Sequence, residues 1–289
     1  MLLKGLSLKR HLKELLREFV SPEDLDYVYN SYDIVGDIAI FHMTETSQRH
    51  SQAIAKAILE VHTNVKTILA QKSPVCGDYR LKDLEFIAGE KKTSTIHKES
   101  GCLFSVDVKD CYFSPRLSHE RMRIAKHVKN SEVIVNMFAG VGCFSIIIAK
   151  HSNADKVYSI DINPEAIQNM QKNARLNRLY EKVVPILGDA KDVIEERLCH
   201  TADRVLMPLP EKALEYLPYA ALGLKEAGGC IHYYDFEHAK NENPVLKTRL
   251  KVARKLESLG AEFQIPYGRV VRTTGPNWYQ IALDIKATF

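Results

Sequence analysis

Residues 133–142 read Val-Ile-Val-Asn-Met-Phe-Ala-Gly-Val-Gly, and Asp161 follows 21 positions after Gly140. An apolar strand here runs into a glycine turn that opens a helix. A second apolar strand, Val157–Ile160, then ends on the carboxylate. A glycine turn lets backbone approach a ligand closely, and an acid at the end of the next strand can take two ribose hydroxyls. The spacing therefore predicts an adenosine-type cofactor at the carboxyl ends of parallel strands. The alternative is an ordinary α/β turn with no ligand, but the acidic strand end matches as well as the glycines do.

Outward from this stretch, strands and helices alternate. Strands are expected at Val133–Met137, Lys156–Ile160, Val183–Leu187, Asp203–Met207 and Gly229–Tyr234, with helices near 142–151, 164–176, 211–225 and 244–259. That order predicts a mostly parallel sheet covered by helices on both faces. Two late strands, near 262–272 and 278–286, close it. Before this region the elements are shorter and mixed. Residues 5–19 place Leu among Lys, Arg and Glu at helical spacing, and Ser21-Pro22-Glu23-Asp24 has the composition of a helix start. Asp33–Phe41 reads as a strand and Ser51–His62 as an amphipathic helix. Val65–Ala70, Gly77–Leu81, Leu84–Ala88, Cys102–Val108 and Cys111–Phe113 read as short strands, and 118–128 as a basic helix.

The chain of 289 residues has 45% hydrophobic and 26% charged content, ordinary for a soluble globular protein. No apolar run reaches the roughly 18–20 residues that span a bilayer. The N-terminus lacks the order of a secretory signal. Cys76, Cys102, Cys111, Cys143, Cys199 and Cys230 form no Cys-x-x-Cys pair, which argues against zinc or a disulfide framework and for a cytoplasmic protein with reduced thiols. The net charge of +4 is a weak pointer to nucleic acid. The excess sits early: residues 1–130 hold 20 Lys+Arg against 17 Asp+Glu, the remainder 20 against 19.

Three further strand ends carry polar or stiff groups. Gly188-Asp189-Ala190 ends the third parallel strand, where Asp189 can accept the adenine amino group or cap the next helix, two compatible roles. Met207-Pro208-Leu209-Pro210 ends the fourth, where a substrate meets the cofactor in open α/β sheets. Two prolines there form either a rigid turn or a frame for carbonyls in the cleft. His232-Tyr233-Tyr234 ends the fifth and can stack a base, although such residues are more often half-buried packing.

The turn Phe138-x-Gly140-x-Gly142 differs from the Gly-x-Gly-x-x-Gly of dinucleotide folds and resembles the S-adenosyl-L-methionine (AdoMet) loop of Rossmann-like methyltransferases. With Gly77-Asp-Tyr-Arg80, Ala88-Gly-Glu90, Thr95-Ile-His-Lys-Glu99, Tyr112-Phe-Ser-Pro-Arg-Leu117, Glu120-Arg121, Asp161-Ile-Asn-Pro164 and Ile231-His-Tyr-Tyr234, the chain resembles the archaeal and eukaryotic tRNA (guanine-37-N1)-methyltransferases, from about Ser31 to its end. The resemblance implies an α/β fold: a Rossmann-like class I methyltransferase sheet over residues 116–289, with a smaller N-terminal α+β tRNA-binding domain over 1–115. It implies AdoMet as methyl donor, tRNA as partner through the anticodon arm, no membrane, and action as a monomer. By position, Glu120 corresponds to the general base for the guanine N1 proton and Arg80 to the arginine that offsets charge on O6. Tyr112, Arg116 and Arg121 fall in the matching catalytic, cofactor and substrate surroundings. Phe138, Gly140, Gly142, Asp161, Ile162 and Asp189 fall in the AdoMet pocket, and Pro208, Leu209 and Pro210 in the substrate loop. Outside the motif, Glu120 would read as a surface salt bridge to Arg121 or Arg123, and Arg80 as a solvated strand residue.

The chemistry requires such groups. Guanine N1 carries a proton at neutral pH and is a poor nucleophile, so a carboxylate must take that proton during transfer. Charge then develops on O6, which an arginine offsets. A stacked base cannot enter such a pocket, so the guanine must flip out.

Two departures stand out. Pro208 replaces the asparagine usual in the family, and Asn136 replaces a common aspartate. No separate small domain of the kind some members use to inspect the tRNA elbow is recognisable, so recognition is expected to lean on the anticodon arm. Pro208 motivates a variant activity, methylation of carbon 7 of the tricyclic wyosine precursor. The remaining alternatives are transfer of the aminocarboxypropyl arm of AdoMet, which retention of Glu120 and Asp161-Ile-Asn-Pro164 disfavours, and a non-catalytic tRNA-binding protein.

Overall fold

The computed structural model describes residues 12–17, 20–28 and 31–289. Chain packing separates two units, Met1–Glu99 with Leu103–Arg116 and Ser100–Cys102 with Leu117–Phe289.

The first unit holds α1 (Leu12–Leu16), α2 (Pro22–Leu25), β1 (Tyr32–Val35), β2 (Ile38–His42), α3 (Glu45–Arg49), α4 (Ser51–Val61), β3 (Thr67–Gln71), β4 (Leu84–Gly89), β5 (Ser94–Glu99) and β6 (Cys102–Asp107). Of the helix expected over 5–19, the described part is α1; residues 5–11 and 18–19 lie outside the description. Four strands form one sheet in the order β1-β2-β3-β4, and β5 pairs with β6. β2 and β3 run parallel with α4 between them in sequence, while the outer pairs are antiparallel. Ile54, Ala55 and Ile58 of α4 pack with Ala39, Phe41, Ile68 and Ala70 as the core of this unit.

Three expectations for this unit are corrected. Asp33–Phe41 is two strands, because Gly36 takes a φ of +58° and reverses the chain. A Cβ at Gly36 would lie 2.2 Å from the Thr95 hydroxyl, so the turn requires glycine. Gly77–Leu81 is a turn closed by a single bridge between Cys76 and Leu81, and Arg80 within it has a φ of +53°. Cys111–Phe113 is irregular rather than extended into a strand. The strand that was not expected, β5, meets the β1–β2 turn through polar groups. Gly36 N donates to His97 Nδ1 (3.1 Å) and the Thr95 hydroxyl donates to Asp37 (2.7 Å).

The second unit begins with α5 (Ser118–His127) and continues as β7 (Val133–Asn136), α6 (Cys143–His151), β8 (Lys156–Asp161), α7 (Pro164–Leu176), β9 (Val183–Leu187), α8 (Ala190–Val193), β10 (Arg204–Met207), α9 (Ala213–Gly223), β11 (Gly229–His238), α10 (Pro244–Ser258), β12 (Glu262–Gly275) and β13 (Trp278–Thr288). A π-helical turn at Ile194–Leu198 continues α8. The seven strands are ordered β12-β13-β11-β10-β7-β8-β9. β7 to β11 run parallel to one another, and β13 runs antiparallel to both β11 and β12. The order reverses between β7 and β10, and ligands of open α/β sheets bind outside the carboxyl ends at that switch point. β7, β10 and the middle of β11 are buried on both faces, as a doubly covered parallel sheet requires, whereas β12 at the edge is part-exposed along its length. Val135, Ile160, Val205, Ile231 and Leu283 fill the core with Leu217, Val252 and Leu256 from the covering helices.

Local sequence starts the helices that flank the site. Asn163 caps α7 by accepting from Glu165 N, with Pro164 at its first position, and Asn243-Pro244 repeats this arrangement at α10. The strand β12 carries three register shifts against β13, at Gln264/Tyr267, Val270/Arg272 and Thr273/Gly275. In each, β12 has one residue more than its partner. The first shift places Tyr267 opposite Asp284, so Tyr267 and Arg269 share the sheet face of Asp284. Without the extra residue both would point away.

Candidate active site

The glycine turn of the second unit is built as its sequence suggests. Ala139 N donates to Ile160 O (2.8 Å), which ties the turn across to β8. Gly140 takes a φ of +56° and donates its N–H to Asp161 Oδ2 at 2.6 Å. Gly142, at +89°, is the N-cap of α6. A Cβ there would stand 2.7 Å from Met170 Cγ. Gly142→Ala is therefore expected to cost about 1–3 kcal/mol through strain and overpacking. Thermal melting of the variant without ligand should show a lower midpoint; an unchanged midpoint would mean the turn relaxes freely.

Asp161 is held from both sides. Its Oδ1 accepts from Asn163 N (2.9 Å) and its Oδ2 from Gly140 N. Burial raises its pKa, and the two backbone donors counter part of that rise. The carboxylate keeps lone pairs for further hydroxyl donors. Next to it, Ile162 is 41% exposed, and Leu187, opposite Asp161 on β9, is 56% exposed. Two exposed aliphatic side chains at adjacent strand ends offer a face for a flat ring. Leu187 was not anticipated, although its place just before Gly188-Asp189 could have marked it.

Asp189 caps α8, accepting from Lys191 N at 2.9 Å. It also accepts from the Tyr216 hydroxyl at 2.9 Å and 3.0 Å. Burial, then this carboxylate, pushes the Tyr216 phenol well above its ordinary pKa, so it stays a donor. The Phe138 ring meets Tyr216 edge-on, with centroids 5.1 Å apart. The adenosine-type cofactor fits this set: a glycine turn, an oriented carboxylate, an aliphatic face, and a capping aspartate with its backbone.

Asn136 is buried and donates to Ser145 Oγ (3.0 Å), which Ser159 Oγ also approaches (2.7 Å). Its Oδ1 accepts no hydrogen bond among the described residues. Pro208 and Leu209 are half-buried and Pro210 is buried, at the head of a short 3₁₀ turn after β10.

Glu120 is 1% exposed on the first turns of α5. Its Oε2 accepts from Arg123 Nε and from the Tyr234 hydroxyl, each at 3.0 Å. Its Oε1 is buried and accepts no hydrogen bond among the described residues, with Arg269 Nε 3.5 Å away. The salt bridge to Arg123 exists, but it is an interior one. Arg121 is also buried, its guanidinium 5.9 Å from the centroid of the Phe144 ring.

Behind Glu120 the charges continue inward. Arg123 donates to Asp284 at 2.6 Å and 3.1 Å, and lies over the Tyr267 ring at 4.7 Å. Asp284 pairs with His232 Nδ1 (2.6 Å), and Arg204 Nη1 lies 2.6 Å from His232 Nε2. An arginine only donates, so Nε2 is the acceptor and Nδ1–H points at Asp284. Burial lowers the His232 pKa and keeps the ring neutral. Burial alone would raise the Asp284 carboxyl, but the His232 and Arg123 donors hold it well below the usual range. His232, Tyr233 and Tyr234 are fully buried rather than half-buried, and each pairs with a carboxylate: Asp284, Asp235 and Glu120.

In the first unit, Arg80 lies over the Tyr112 ring at 4.1 Å and is partly buried in its turn. Arg116 Nε donates to Asp33 at 2.6 Å. Lys82 shares this neighbourhood. Burial draws its ammonium below the ordinary lysine pKa; Asp33 counters this, while Arg116 and Arg80 add to it. Among the described residues, no helix is long and apolar enough to cross a membrane.

Known proteins resemble the chain over most of its length. A family model described as the TRM5/TYW2 methyltransferase domain matches residues 95–263, and one described as the TYW2 N-terminal domain matches residues 12–93. The chain is 41% identical over 276 residues to the tRNA (guanine(37)-N(1))-methyltransferase Trm5b of Pyrococcus abyssi, covering 94% of this chain and 80% of that one. It is 37% identical over 278 residues to the tRNA 4-demethylwyosine(37)-methyltransferase Taw21 of Saccharolobus solfataricus, covering 96% of this chain and all of that one. The solved complex of aTrm5 with tRNALeu superposes with a TM-score of 0.83 at 35% identity, over 98% of this chain and 79% of that one.

Proposed function

The chain belongs to the TRM5/TYW2 methyltransferase family, and on that premise we propose that it methylates N1 of guanine 37 in tRNA, with AdoMet as donor. AdoMet supplies, when bound, an activated methyl group on a sulfonium sulfur. Asp161 is the group for its ribose hydroxyls, Ile162 for one face of its adenine, and Asp189 for the adenine edge. Gly140 and Gly142 give the backbone close approach, and Phe138 and Arg116 complete the cofactor assignment.

The observation that carries the reading is the state of Glu120. A buried carboxylate with one oxygen fixed by two donors and the other accepting no hydrogen bond is poised to take a proton. Guanine N1–H gives its proton to Oε1 while N1 gains the methyl group. Arg80 offsets the charge that develops on O6, with Tyr112 stacked against its guanidinium. Arg121, Pro208, Leu209 and Pro210 contact the flipped guanine. Pro208 lacks a side-chain amide, so its contribution comes from its backbone carbonyl. The enzyme works in the cytoplasm as a monomer and grips the anticodon arm.

Nucleoside mass spectrometry of unmodified tRNA incubated with the protein and AdoMet tests this reading. One added methyl on guanine 37, lost when that base is replaced, is the expected result. No added methyl, with AdoMet bound, would overturn it. A second reading, methylation of the wyosine precursor in the same pocket, is favoured by Pro208 and by the similarity to Taw21. A methyl added only to precursor-bearing tRNA would select it.

A further inference from the structure

Resting on the reading of Glu120 as the base, we infer that Tyr234 and Arg123 are positioning residues that clamp Glu120 Oε2, so that Oε1 alone receives the N1 proton. A free carboxylate rotates and presents either oxygen; here rotation would break two hydrogen bonds at once. Tyr234 contributes from β11, one strand from the sheet edge pair, and Arg123 from the next turn of α5, so the carboxylate is fixed from two elements. Both donors are themselves immobilised. Tyr234 is 1% exposed, and Arg123 is held by two bonds to Asp284, which His232 and then Arg204 secure in turn.

With both donors at Oε2, Oε1 is left as the oxygen that accepts no hydrogen bond among the described residues. The groups at Glu120 are Arg123 on α5, Tyr234 on β11 and Arg269 on β12; behind Arg123 stand Asp284 on β13, which His232 on β11 also holds, and Tyr267 on β12, while Arg121 on α5 lies by the Phe144 ring of α6. The Tyr234 phenol is raised far above its ordinary pKa by burial and then by Glu120, so it is a permanent donor. Arg269, part-exposed on β12, places its Nε 3.5 Å from Oε1.

Single-turnover methyl transfer by Tyr234→Phe tests the clamp. The rate at neutral pH should fall on the order of tenfold, because the carboxylate loses one of the two donors that orient it. Dissociation constants for tRNA and AdoMet should not change. In a Glu120→Gln background the same substitution should cause no further loss, because both act through one carboxylate. Arg123→Lys, which loses the forked geometry that reaches Asp284 and Glu120 together, should lower the single-turnover rate in the same way and covers the case of a Tyr234→Phe protein that fails to fold.

A Tyr234→Phe enzyme with the parental single-turnover rate, a loss confined to the KM for tRNA, or additive losses with Glu120→Gln would overturn the inference. Full activity of Glu120→Gln alone would instead remove the reading of Glu120 on which it rests.

Discussion

A Glu120→Gln enzyme is expected to bind tRNA and AdoMet as the parent does, yet transfer methyl groups about 10²–10⁴ times more slowly. The substitution keeps the volume and hydrogen-bonding capacity of the side chain. Its amide oxygen can still accept from Arg123 and Tyr234, so the clamp and the fold are preserved. What disappears is the proton acceptor at the Oε1 position. Such a loss corresponds to about 3–5 kcal/mol of transition-state stabilisation. Single-turnover rates and filter-binding affinities separate the two effects. A parental rate would show that another group, or water, removes the proton; a parallel collapse of tRNA affinity would recast Glu120 as a structural anchor.

The second large effect concerns stability. Asp284→Ala removes the carboxylate between Arg123 and His232 and leaves a buried guanidinium without its bidentate partner. Breaking a buried pair from one side typically costs about 3–5 kcal/mol. The effect has a pH signature. The folded pKa of Asp284 lies below its unfolded value, so its contribution is complete above the unfolded value, about 4, and fades as pH falls through the folded one. Denaturant titrations should therefore show a wide gap between parent and variant at neutral pH that narrows in acid. A gap of constant size would assign the loss to packing instead of charge.

The parallel half of the molecule was readable because each of its strands is a short apolar run closed by a turn or an acid. Val133–Gly142 and Asp161 lie in one contiguous segment, so the glycine turn and the carboxylate that meets it were legible in the sequence. The first unit was harder. β1 and β2 fused into one expected strand because Gly36-Asp37 interrupts an otherwise apolar run with only two residues. β5 was missed because its partly or fully buried positions are Thr95, His97 and Glu99, while Ile96 is exposed, the reverse of the usual pattern. The surroundings of Glu120 were also out of reach. Tyr234 lies 114 positions away and Asp284 further still, and only the folded sheet brings them to α5. Nothing in His232-Tyr233-Tyr234 alone distinguishes carboxylate partners from simple packing.

The long hairpin at the end of the chain has one more effect, outside catalysis. β12 is an edge strand of 14 residues, and an unpaired edge of that length is a template on which another chain can assemble. Its three extra residues break the spacing of outward amides, and Pro266, within the first break, offers no N–H at all. Arg269 and Arg272 add charge along the same strand. An incoming strand finds no flat run to pair with, so the irregularities that aim Tyr267 and Arg269 inward also guard the protein against aggregation.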